Sequence, residues 1–306
     1  MRLLAPAKIN LYLRVGHPRD DGFHPLVSWM ATVALFDILT INRVCGRGVT
    51  LSCDMPDLPC DAGNLVIRAA AALADSLAKF EASAATPDSG LSIHLQKRIP
   101  LGAGLGGGSS DAARTLQALN QLFSLHCSAQ QLAALSASLG SDLPFFFFSP
   151  SAICRGRGEL VEPISPPQSR FALLLLPHTH LPTPAVYRRF DEMRLGSDLA
   201  PHHEPPWHLW THLSAPALLD ALVNDLEPAA FAISPPLAAL HAGAQQWLQR
   251  PVRMSGSGSS LFSLFDGETE AAEAASVVTQ RLSVKSVAVE VAPTLTDDLN
   301  LCSRDL

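Results

Sequence analysis

Residues 100–113 read Pro-Leu-Gly-Ala-Gly-Leu-Gly-Gly-Gly-Ser-Ser-Asp-Ala-Ala. Before them Leu91, Ile93 and Leu95 alternate with polar residues, the two-residue period of a half-buried strand. After them Ala112, Ala113, Leu116, Ala118 and Leu119 recur at helical spacing and make one apolar face. A strand over 91–97, a glycine-rich turn and a helix over 109–122 therefore follow one another directly. Such a junction offers an anion unobstructed backbone N–H groups and the positive end of a helix dipole. Ser109 and Ser110 are of the type that caps a helix or gives a hydroxyl to a phosphate or its metal. A side chain placed on Gly106 is expected to crowd that phosphate.

Three readings of this loop compete. Gly102, Gly104 and Gly107 also satisfy the dinucleotide fingerprint G-x-G-x-x-G. That fingerprint calls for an acidic residue about 20 positions on to hold a ribose, and Asn120-Gln121-Leu122-Phe123-Ser124 contains none. A nucleotide loop of the G-x-x-x-x-G-K-[ST] type needs a lysine that does not follow these glycines. A ligand-free flexible loop is the bland reading, and the close framing by strand and helix argues against it. The residues alone leave a polyphosphate enzyme, a nucleotide-binding oxidoreductase and a catalytically silent nucleotide-binding module open.

With 306 residues, 47% of them hydrophobic and 16% charged, the chain can bury the core of one large or two modest domains. A net charge of −6 supplies no basic field for a nucleic-acid backbone, so no nucleic-acid partner is expected. No apolar run reaches the ~18 residues of a membrane span. The longest runs, Phe145–Phe148 and Phe171–Leu176, fit buried strands. The start, Met1-Arg2-Leu3-Leu4-Ala5-Pro6, lacks the pattern of a signal peptide. The six cysteines form no C-x-x-C pair, so reduced thiols and a cytoplasmic location are expected.

Ile9, Leu11, Leu13 and Val15 alternate with Lys8, Asn10, Tyr12 and Arg14, which predicts a strand with one apolar face. Lys8 and Asn10, two apart, share its polar face. Further strands are expected over 29–43 and 49–53, and helices over 64–77 and 129–139, the latter capped by Gly140. Pro163–Pro167 reads as a linker. Beyond it come a strand from Phe171, helices near 184–194, 215–224 and 235–248, a strand at 261–266, a helix at 269–282 and a strand at 286–291. Strands and helices mix without strict alternation, which favours α+β over a doubly wound sheet. The segment 195–212 reads as irregular; His202, His203, His208 and His212 there are of metal-ligand type, and a surface loop is the preferred reading. Asp142, in Gly140-Ser141-Asp142-Leu143-Pro144, is either a turn aspartate or a carboxylate at the mouth of an apolar core, where it would serve as a proton acceptor. The Gly/Ser run 255–260 is either a turn or a second source of N–H groups for the same ligand.

Together these segments resemble the GHMP kinases, the superfamily of galacto-, homoserine, mevalonate and phosphomevalonate kinases. Within it the likeness is greatest to the branch acting on 4-diphosphocytidyl-2-C-methyl-D-erythritol. Pro6-Ala7-Lys8-Ile9-Asn10-Leu11, Asp21-Gly22-Phe23-His24, the 100–111 loop, the 140–146 segment, Asn224-Asp225-Leu226-Glu227-Pro228 and Met254-Ser255-Gly256-Ser257-Gly258 carry it. The resemblance implies an α+β, two-domain kinase. An N-terminal domain over 1–162, related to ribosomal-protein S5, would pack on a ferredoxin-like C-terminal domain over 163–306. It implies ATP as co-substrate, with Mg2+, and a small cytidine diphosphate ester as acceptor. Pro100, Leu101, Gly102, Ala103, Gly104, Leu105, Gly106, Gly107, Gly108, Ser109 and Ser110 would hold ATP. Asp142 would accept the hydroxyl proton, with Lys8 stabilising negative charge beside it. Asn10, Phe23, His24 and Tyr187 would bind the acceptor. The family usually has tyrosine where Phe23 stands and glutamate where Pro25 stands; the ring face survives the first change and a side-chain acceptor is lost in the second. Another small-molecule kinase of the superfamily is the alternative acceptor class.

Overall fold

A strand of alternating parity becomes a core element only when both of its faces find cover, and here the first strand does. The computed structural model describes residues 1–79, 89–197 and 204–294. Strand β1 (Arg2–Val15) pairs antiparallel with the long β2 (Leu26–Cys45), with irregularities at Pro6/Ala7 and Asn10/Tyr12. The expectation of one apolar face is corrected: the irregularity at Asn10/Tyr12 splits it, so that Ile9 and Leu11 join one core cluster and Leu13 and Val15 another, and Lys8, Asn10 and Tyr12 are buried as well. Tyr12 stands edge-on to Trp207 and Trp210.

The first sheet adds β3 (Val49–Cys53), β4 (Ser89–Gln96), β5 (Ser151–Gly156) and β6 (Leu160–Pro163) in the order β3-β4-β2-β5-β6, with β1 on β2. Only β3 and β4 run parallel. Helices α1 (Leu65–Lys79), α2 (Gly107–Leu122) and α3 (Ala129–Ser136) cover one face, burying Leu39, Ile41, Ile93 and Leu116 together.

The second sheet comprises β7 (Phe171–Leu176), β8 (Arg253–Met254), β9 (Leu261–Phe265) and β10 (Lys285–Glu290), all antiparallel, in the order β10-β7-β9-β8. That fourth-first-third-second order is ferredoxin-like. The run Phe171–Leu176 is a buried strand, as its composition suggests, and is buried from both sides. Leu173 and Leu175 meet the helices, while Ala172, Leu174 and Leu176 meet Ile9, Leu11 and Trp29 of the first sheet. Helices α4 (Thr183–Glu192), α5 (Trp207–Trp210), α6 (Ala215–Ala221), α7 (Glu227–Ile233) and α8 (Pro235–Leu248) lie between β7 and β8, and α9 (Glu268–Leu282) lies between β9 and β10. The architecture is α+β.

Several expectations are corrected. Phe145–Phe148 is not a strand: Pro144–Phe147 forms a 3₁₀ turn. A short apolar run has no period that separates strand from helix, and Pro144 at its head suits a first helical turn. Helix α3 stops at Ser136 with Ala137 as its cap residue, so Gly140 is not the cap. Strands β5 and β6 occupy a stretch in which no element was expected, α7 likewise, and α5 forms within the segment read as irregular. His202 and His203 lie outside the described residues.

Candidate active site

The glycine loop owes its path to backbone angles that side chains rarely adopt. Gly102, Gly104 and Gly106 all have positive φ. Gly106 is the cap residue of α2 and no side chain caps that helix end, so of the two readings of Ser109 and Ser110 the capping one does not occur. The first N–H groups of α2, at Gly107, Gly108 and Ser109, therefore face the adjoining cavity with no capping side chain.

A second loop fixes the first. The Ser255 hydroxyl donates to Gly104 O at 2.9 Å, and Ser260 N donates to Ala103 O at 3.0 Å. A Cβ on Gly104 would strike Ser255 O, so only glycine permits this approach. Asn10 N in turn donates to Ser255 Oγ at 3.2 Å, and Lys8 N to Leu105 O at 2.9 Å. Asn224 Nδ2 holds the second loop by donating to Met254 O and Gly256 O, each at 2.8 Å. The edge of β1 around Lys8 and Asn10 is thus where both loops converge.

At that convergence the Lys8 ammonium lies 3.2 Å from Asp142 Oδ2 and donates to Asn10 Oδ1 at 2.6 Å. Asn10 Nδ2 donates to Ser28 Oγ at 2.8 Å, and Ser28 donates onward to Tyr12 O at 2.8 Å. Each member is aimed by the next. The Lys8 side chain is only 4% exposed, whereas Asp142 is 34% exposed and opens to the cavity. Asp142 is therefore no isolated turn residue.

Gly106 also abuts this pair. A Cβ there would lie 2.9 Å from Lys8 Cγ and 3.1 Å from Lys8 Cε. Besides any crowding of a phosphate, a side chain there meets Lys8 within the protein itself. If the loop holds ATP, as the resemblance implies, Gly106→Val should lower kcat as well as weaken ATP binding. It should also cost roughly 1–2 kcal/mol of stability for the left-handed backbone alone. Steady-state kinetics with a urea titration checks this; unchanged kcat in a folded variant would contradict the contact.

At the other end of the cavity Phe23 is 48% exposed, with the Arg157 guanidinium 4.4 Å above its ring centroid, so it is not a core plug. His24 is buried; its Nδ1 donates to Gly16 O at 2.9 Å, and its ring centroid is 5.0 Å from that of Tyr187. A carbonyl only accepts, so Nδ1 carries a proton, and Nε2 lies 3.5 Å from Asp191 Oδ1. Burial, and secondarily the charge of Asp142, pushes the Tyr187 phenol up from its ordinary range.

Beneath the loop lies a cluster that the motif reading missed. Lys97 Nζ donates to Asp37 Oδ2 and, at 2.8 Å, to Asp111 Oδ2, with all three side chains buried. Asp37 Oδ1 also accepts from Arg98 N and Ile99 N, at 2.6 and 2.9 Å. Burial pushes the Asp111 carboxyl up to about 7 in spite of Lys97. The signal was present: Lys97 continues the buried parity of Leu91, Ile93 and Leu95, and Asp37 that of Leu39 and Ile41. Charges on a core face need each other.

These parts border one cavity of about 830 Å³, within the range of small-molecule sites. It brings together Lys8, Asn10, Phe23, His24, Asp142, Tyr187 and the loop residues Pro100–Gly104 and Gly106–Ser109. Leu105 and Ser110 are buried behind it. Gly256 and Ser257 of the second loop also border it. No group of three or more metal-ligand side chains occurs among the described residues.

Two family models match the chain: the GHMP kinases N terminal domain over residues 64–149 and the GHMP kinases C terminal over 213–284. A 4-diphosphocytidyl-2-C-methyl-D-erythritol kinase of Synechococcus sp. (strain CC9902) is 34% identical over 319 residues, covering 99% of this chain and 100% of its own length. A crystal structure of a 4-(cytidine 5'-diphospho)-2C-methyl-D-erythritol kinase superposes with a TM-score of 0.75 at 35% identity, covering 96% of this chain and 100% of that one. A mevalonate kinase structure, at 11% identity with a TM-score of 0.70 over 95% of this chain and 99% of that one, shares the fold alone.

Proposed function

Because the chain belongs to the 4-diphosphocytidyl-2-C-methyl-D-erythritol kinases, a branch of the GHMP kinases, we infer that it transfers the γ-phosphoryl group of ATP to the 2-hydroxyl of that cytidine diphosphate ester. The product would serve the non-mevalonate route to isopentenyl diphosphate. The observation that carries the reading is the Lys8–Asp142 pair, set in one cavity with the uncapped start of α2. Phosphoryl transfer asks a protein chiefly for position and charge neutralisation, and this arrangement supplies both.

In this reading the N–H groups of Gly107, Gly108 and Ser109 hold the ATP phosphates. Asp142 takes the proton of the attacking hydroxyl. Lys8, aimed by Asn10, faces the negative charge that grows on that oxygen. Magnesium bound with ATP would neutralise charge between the phosphates. Ser110 Oγ and Asp111 Oδ1, near the start of α2, are buried without a protein partner and would be the hard oxygen donors that hold this ion. Phe23 offers a face to the cytosine ring, and Tyr187 stands at its other side. His24, packed beside Tyr187 with its Nε2 3.5 Å from Asp191, would stand at the base edge.

The division into units at 162/163 is supported by the two sheets, one formed within residues 2–163 and the other within 171–290. A cytoplasmic place is supported by the five described cysteines, all free. No helix of the described residues is long and apolar enough to cross a membrane.

ADP release with the cytidine diphosphate ester, mevalonate and homoserine as separate acceptors tests the reading. Turnover is expected with the first alone, and turnover with either of the others in its place would contradict it. Stacking of an aromatic ring on a base is worth about 1–3 kcal/mol by alanine substitution in single-stranded nucleic acids. On that analogy Phe23→Ala should raise KM for the acceptor roughly 5- to 150-fold, with KM for ATP nearly constant. An equal rise in both constants would remove Phe23 from the base site.

A further inference from the structure

The cations around the cavity are not equally committed. Lys8, Lys97, Arg157 and Arg188 border it. Lys8 is matched by Asp142, and Lys97 by Asp37 and Asp111. Asp191, the other carboxylate of the lining, lies 3.5 Å from His24 Nε2. Among the described residues Arg157 and Arg188 make no ion pair, unlike their neighbours Arg155, which binds Glu162 and Glu204, and Arg189, which binds Glu192.

Both belong to the Phe23–Tyr187 end rather than to the glycine loop. Arg188 follows Tyr187 on α4. Arg157 sits at the tip of the β5–β6 turn, between Gly156 and Gly158, both with positive φ. Its N–H is tied to Glu159 Oε2 at 2.5 Å, and Gly158 N to Arg155 O at 3.0 Å. The turn is fixed, and its guanidinium is laid over one face of Phe23, which leaves the other face for a base.

We propose that Arg157 and Arg188 form a second anion site in this cavity, one that binds the diphosphate of the acceptor and so makes the enzyme select acceptors by charge as well as by base. The proposal rests on the cytidine diphosphate reading of the acceptor. The backbone N–H groups of α2 already serve one polyphosphate at the far side of the cavity. An acceptor carrying a diphosphate between its base and its alcohol brings a second, near the residues that hold the base. Guanidinium groups bind phosphate oxygens in pairs through fixed N–H forks, which an ammonium group cannot copy.

The test uses Arg157→Gln, Arg188→Gln and the double variant, with Arg157→Lys as the charge-conserving control. Calorimetry compares CDP with cytidine as ligands, and kinetics gives KM for ATP and for the acceptor. The wild type should bind CDP more tightly than cytidine. The double variant should lose most of that preference, a change of roughly ten- to a hundredfold in CDP affinity, while KM for ATP and affinity for cytidine hold. Arg157→Lys should recover part of the loss. An unchanged CDP-to-cytidine ratio overturns the proposal. A rise in KM for ATP instead of the acceptor also overturns it, since the arginines would then serve the donor. Should the wild type fail to phosphorylate the cytidine ester, the functional reading falls by itself, and the calorimetric ratio still decides the arginine site.

Discussion

Asp142→Asn should lower kcat by about 10²–10⁴-fold while ATP binding stays near normal. The carboxamide keeps the shape and removes the base. Asp142 is partly exposed and its ion pair with Lys8 lies at the cavity wall, so the fold does not hang on it. On the proposed reading ATP is held at the start of α2, which Asp142 does not touch through any hydrogen bond among the described residues. Single-turnover kinetics with a separate ATP titration measures both quantities. Near-normal kcat in the folded variant would mean that another group takes the proton.

Lys97→Met should cost about 3–5 kcal/mol of stability, because it leaves two buried carboxylates facing one another without their cation. Asp37 and Asp111 are both essentially excluded from solvent. The deficit should depend on pH, and the sign is fixed by the direction of the shift. Asp111 already titrates higher in the fold, up to about 7, than its ordinary value of 3.8. A carboxyl raised in this way favours the folded state at low pH, and that contribution is lost as pH rises through the raised value. Without Lys97 the two carboxyls share a proton and the shift grows. Urea unfolding should therefore show a smaller gap between variant and wild type at pH 5 than at pH 8. Equal stability at pH 8 would contradict the buried cluster. KM for ATP should rise too, since Asp111 lies just past the first turn of α2 and Lys97 ties that end of the helix to Asp37 and the end of β4.

The glycine loop and its flanking strand and helix were legible because each has a local cause: a two-residue period, a helical apolar face, and glycines where positive φ is needed. The parts that depend on distant partners were less so. Nothing near Ser255 says that its hydroxyl reaches Gly104 and Asn10, which lie in other elements far along the chain. The four phenylalanines gave burial but no period, so their 3₁₀ turn was unreadable. Strand β6 is short and mostly exposed, with no apolar pattern to announce it. The pair Lys97 and Asp37 was visible in principle, since both break an apolar parity, but only the register Ile38↔Gln96 sets them side by side. Lys8 and Asp142 were singled out separately from their local sequence, and their meeting is a property of the fold.

The central claim is most directly tested by incubating the protein with ATP, Mg2+ and 4-diphosphocytidyl-2-C-methyl-D-erythritol and following the phosphorus NMR spectrum. The account predicts a new monophosphate ester resonance coupled to the 2-carbon side of the methylerythritol, growing in step with ADP, with the diphosphate bridge intact. ADP formation without that ester, or a phosphate placed on another hydroxyl, would contradict it.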